Sequence, residues 1–100
     1  MLQKKNIVKG SVVEVLPVIK TGLPAALSGG SSELKHLSVR RDLMLGAGGW
    51  GVTSGARLEV IEPPKRRDGI NTAIVKIVGT ENIGHVYWCE LRASCKQIEP

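Results

Sequence analysis

One hundred residues suit a single domain, and an apolar share of 42% supports a core that must be aliphatic, because aromatic residues make up only 3%. A formal net charge of +5 favours anionic partners. The N-terminal residues carry Lys4 and Lys5 but no apolar run of signal-peptide length, and the longest uncharged run, Leu43–Ala56, is too short and glycine-rich to span a bilayer. A cytoplasmic protein without membrane association is therefore expected, with Cys89 and Cys95 reduced.

Taken in chain order, "SVVEVLPVI" places Val13 and Val15 on one face and Val12, Glu14 and Leu16 on the other, which predicts a strand that ends at Pro17. "TGLPAALSGGSS" reads as a loop with room for one helical turn at Ala25–Leu27. In "HLSVRRDLML", Leu37, Val39, Leu43 and Leu45 alternate with His36, Ser38, Arg40 and Asp42, and Arg41 marks a bulge or bend in the strand. "GAGGWGVTSG" is a glycine-rich connection, and "ARLEVIE" is a strand with Leu58 and Val60 on one face. "PPKRRDGIN" is a basic loop with Asp68-Gly69 as its turn. "TAIVKIV" is apolar on both faces and so central; "HVYWCEL" and "CKQI" are two last strands around "RAS". The consistent inward faces predict a core of Val13, Leu37, Val39, Leu58, Val60, Val75, Ile77, Val86, Leu91 and Ile98. Five or six short strands with tight late turns point to a small barrel, because closure removes edges that a sheet of this size cannot otherwise protect.

The order of these pieces resembles the bacterial Src-homology-three type of domain, an SH3-like barrel. "LSVR", Leu37–Arg40, is similar to that family's opening strand, "SGARLEVIE" to its next strand and "TAIVKI" to its middle strand. "GHVYWCEL" matches its closing pattern of glycine, strand residue, apolar residue and a short 3₁₀ approach to a final apolar position. The resemblance spans about residues 36–98 and leaves 1–35 as an N-terminal extension with an extra strand. "RDLML" replaces the family's small-residue loop, and the tryptophan before the middle strand is absent. The resemblance implies an all-β barrel in which Val86 and Leu91 point inward and Tyr87 lies where related domains hold extended peptides.

The residues that could carry chemistry are few. Period-two alternation puts Trp88 on the side of Val86, in the core, and leaves Tyr87 as a groove or packing ring. Trp50 lies in "GAGGWG", which is followed by a strand and not by a helix, so a phosphate loop is excluded; the ring is either presented on the loop or folded over a barrel end. Lys65, Arg66 and Arg67, with Arg40 and Arg41, could straddle phosphates or form solvated tips. His36, His85, Cys89 and Cys95 lack zinc-ligand spacing, and whether the cysteines pair is open. No histidine, serine or carboxylate pattern suits catalysis, so neither an enzyme nor a cofactor is expected. The leading expectation is a binding module that takes a protein or peptide between Trp50 and Tyr87. Its alternatives are nucleic-acid binding through the basic loops, or a structural or assembly role, homo-oligomer included, in which the N-terminal strand pairs with another chain.

Overall fold

A computed structural model describes residues 2–17, 19–20, 33–34, 36–41, 48–67 and 69–99. Among these, strands β1 (Val12–Val15), β4 (Leu37–Arg40), β5 (Gly49–Val52), β6 (Arg57–Arg67), β7 (Ile70–Ile77), β8 (Ile83–Tyr87) and β9 (Cys95–Glu99) form one antiparallel sheet. Their spatial order is β5-β4-β8-β7-β6-β1-β9, and the sheet curls into a half-barrel. Strands β2 (Ile19–Lys20) and β3 (Glu33–Leu34) pair as a separate ribbon, and one helix, α1 (Trp88–Ser94), lies between β8 and β9. No helix among the described residues is long and apolar enough to cross a membrane.

Alternation builds the core. Along β1, β4 and β8 every second side chain is buried, which sends Val13, Val15, Leu37, Val39 and Val86 into the concave face. Leu58, Val60, Val75 and Leu91 complete it without measurable exposure, while Ile77 packs at its margin and Ile98 is half-buried. β-branched residues suit this surface because their stiff side chains pack well on a pleat.

Several expectations change in the folded chain. Val12–Val15 forms the expected N-terminal strand, and β1 sits between β6 and β9, paired on both sides. Leu37–Arg40 is a strand as expected and pairs with β5 and β8. The basic "PPKRR" belongs to β6, whose pairing with β7 resumes at Lys65↔Thr72 beyond register shifts on either side of Glu62. Prolines cannot donate to a ladder, and bulges let the strand pass Pro63 and Pro64 without ending.

Finally, "WCELRAS" is helical. Trp88 and Leu91, spaced i and i+3, both face inward in α1, whereas a strand of this length would expose one of them. The glycine-rich connection also contributes a strand, β5, from Gly49 to Val52. The loop expected at 21–32, its helical turn and the segment 42–47 lie outside the described residues.

Candidate functional site

Strand β4 lies between β5 and β8 and sends Leu37 and Val39 inward and Ser38 and Arg40 outward. Its fit against β8 depends on Gly84. A Cβ there would lie 2.6 Å from the Arg40 carbonyl oxygen and 2.9 Å from Val39 Cγ1. Gly49, on the β5 side, is equally constrained, with φ +139° and a would-be Cβ 2.5 Å from the Val39 carbonyl oxygen. Two glycines therefore let three strands converge where Arg40 and Arg41 leave the sheet.

The adjacent arginines diverge. The Arg40 guanidinium lies 4.1 Å from the centre of the Tyr87 ring, within reach of Glu90 on α1, with Nη1 3.5 Å from Oε1. The Glu90 side chain is 1% exposed and that of Arg40 29%. Among the described residues, neither Glu90 oxygen nor Arg40 Nη1 has a hydrogen-bond partner, and the same holds for His85 Nδ1. Burial therefore raises the pKa of the Glu90 carboxyl above its usual value, against the weaker pull of Arg40 and of His36. Arg41 turns the other way, with its guanidinium 5.3 Å from the centre of the Trp50 ring and beside Gly48.

Register decides where the two candidate rings go. Trp50 pairs with Val39 and packs half-buried against the core margin. Tyr87 follows His85, the partner of Arg40, two residues along β8 and is also half-buried. Because Val39 and Arg40 point to opposite faces, Trp50 and Tyr87 do so too, each under its own arginine. They do not flank a common groove.

A groove of about 340 Å³ opens instead over the β4–β5 pair, lined among others by His36, Ser38, Arg40, Gly49, Trp50 and Gly51. Exposed His36 leans over Gly51, where a Cβ would lie 2.7 Å from its ring, so the absence of a side chain there makes room for the imidazole.

The remaining basic residues stand apart from this groove. Lys65 and Arg66 are exposed on β6. Arg67 is largely covered, donating from Nη1 to the Thr72 carbonyl and, at 3.3 Å, to Thr72 Oγ1; its Nη2 reaches Glu62 Oε2 at 3.2 Å. It braces the β6–β7 hairpin. Cys89 and Cys95 are free thiols; burial pushes the Cys95 pKa up to about 12.

Sequence reasoning reached Trp50, Tyr87 and both arginines but missed Glu90 and the part His36 plays. The signal for Glu90 is a lone acid in an otherwise apolar segment, interpretable only once that segment is known to be helical. No protein family, curated protein or solved structure matches the chain.

Proposed function

We propose that the chain is a non-catalytic binding module, an SH3-like barrel in the cytoplasm that recognises a protein or peptide in the groove beside β5. The observation that carries this reading is the groove itself, about 340 Å³, with half-buried Trp50 and cationic side chains at its border. An aromatic ring held by the core on one side and a cation on the other is rigid, and rigid aromatic anchors are what peptide sites use. The SH3-like assignment is supported by the closing segment, where Gly84, His85 and Val86 are followed by a short helix that buries Leu91. Tyr87 then serves the site indirectly, by holding Arg40.

Nucleic-acid binding is the second reading, and exposed Lys65 and Arg66 are the observation in its favour. It has weaker support because Arg40 and Arg67 are already engaged within the fold. The test is selection from a random peptide display library on the intact chain, counter-selected on Trp50→Ala, alongside binding of a random single-stranded oligonucleotide at low and high salt. Peptides that require Trp50 support the first reading. Their absence, together with oligonucleotide binding that weakens steeply with salt, would overturn it in favour of the second.

A further inference from the structure

We infer that the ligand is an acidic peptide segment that adds to the sheet as an extra strand along the outer edge of β5, the strand that borders this groove. The inference rests on the peptide-binding reading above and deepens it to a ligand class and a mode of attachment.

Strand β5 ends the seven-stranded sheet and has a strand neighbour only in β4 among the described residues. An antiparallel strand paired on one side directs half of its backbone N–H and C=O groups outward, where a further strand can take them. Sheets usually blunt such edges with charge or proline. Here the edge is Gly49, Trp50, Gly51 and Val52, with neither. The opposite edge, β9, carries Lys96 and Glu99. Backbone without side chains at Gly49 and Gly51 lets a neighbouring chain approach to the strand spacing of about 4.8 Å.

The charge beside β5 selects the partner. At one end Arg41 stacks over Trp50 next to Gly48, and at the other exposed His36 lies over Gly51. Stacking occupies the face of a guanidinium and leaves its in-plane N–H donors for a carboxylate. Arg40 does not compete for this role, because Tyr87 and Glu90 hold it toward β8. Arg41 and His36 flank residues of opposite parity on β5, Trp50 and Gly51. The carboxylates of an added strand would therefore fall on both of its faces, one toward the Arg41 guanidinium and one toward the His36 imidazole.

Peptides selected on Trp50 should be enriched in Glu and Asp. The strongest of them, synthesised with a fluorophore, should lose at least about tenfold in affinity against Arg41→Gln or when its acids are changed to amides, since one charge-assisted hydrogen bond accounts for that much. Equal melting temperatures for Arg41→Gln and the parent protein establish that the fold is intact; if this variant melts early, the amide-substituted peptide on the parent protein decides alone. N-methylation along the peptide should abolish binding at alternate positions only, as strand pairing requires. Trp50-dependent peptides without acid enrichment, or indifferent to N-methylation, would overturn this inference and leave the peptide-binding reading standing. A second copy of the chain as the occupant, seen as concentration-dependent dimers in sedimentation that Trp50→Ala abolishes, would also overturn it. Recovery of no Trp50-dependent peptide would remove the underlying reading itself.

Discussion

Gly84→Ala tests whether the convergence of β4 and β8 is as close as described. Gly84 is buried and its φ is not among the positive ones, so alanine is allowed by the backbone. In a roomy site the change would stabilise the protein by about 0.4–1 kcal/mol, by restricting the unfolded chain. The site is not roomy. The new methyl would lie 2.6 Å from the Arg40 carbonyl oxygen and 3.1 Å from its carbon, both backbone atoms that cannot rotate aside. Ordinary contact begins near 3.4 Å, so β4 must retreat by about 0.8 Å. Overpacking of this kind costs about 1–3 kcal/mol. Such a retreat also lengthens pairing at Arg40↔His85, the only register pair joining β4 to β8 among the described residues, worth about 1 kcal/mol more. The net loss is about 1–3 kcal/mol, or a fall in melting temperature of roughly 5–20 °C for a chain of this size. Urea unfolding followed by circular dichroism measures it. An alanine variant as stable as the parent, or more so, would refute the close approach, since the sign of the effect depends on the clash alone.

Trp88→Ala should cost about 3–5 kcal/mol, because the ring is buried in the core; thermal melting measures it, and a near-native melting temperature would refute the packing. Arg67→Gln should destabilise by about 1–3 kcal/mol through the lost bonds to Thr72, whereas Lys65→Ser with Arg66→Ser should stay within about 0.5 kcal/mol in the same urea titration. Iodoacetamide should label Cys89 in the native protein and Cys95 only after unfolding, because burial and a pKa near 12 suppress its thiolate; mass spectrometry separates the two. Glu90 has a folded-state pKa raised above 4.5, so the folded chain holds that proton longer than the unfolded chain. Its contribution to stability is complete below about 4.5 and is lost as pH climbs through the raised value. Urea titrations of parent and Glu90→Gln across that window should show the parent losing ground with rising pH; the reverse trend would refute the assignment.

Much of the fold was legible because alternation is a local signal. Val13, Leu37, Val39, Leu58, Val60, Val75, Val86 and Leu91 announce their burial through neighbours one residue away, and all are buried. Strand order is not local. Nothing near Val12–Val15 reveals that β1 lies between β6 and β9, since its partners are more than forty residues further on. "PPKRR" was misleading for a different reason: two prolines and three cations have the composition of a loop, yet register shifts carry them within a strand. "WCELRAS" is ambiguous, because a helix and a strand both turn Trp88 and Glu90 inward and only Leu91 tells them apart.

The candidate site was half legible for a related reason. Arg40-Arg41 reads as one basic patch, but strand parity and the bend that follows separate the pair. Arg40 turns toward β8, where Tyr87 and Glu90 engage it; the Glu90 carboxyl is fifty positions away in the chain and too buried to meet any ligand. Removing Arg40 would leave an acid in the interior without its counter-charge, which is a cost to folding before it is a cost to binding. Arg41 bears on Trp50 at the exposed edge, where its loss exposes one face of a ring and little else. Neighbouring residues of one type thus take opposite roles, one holding β4 to the helix and the other bearing on Trp50 at the sheet edge. The difference comes from the order of strands around β4, which places a buried acid on one side and a bare glycine edge on the other.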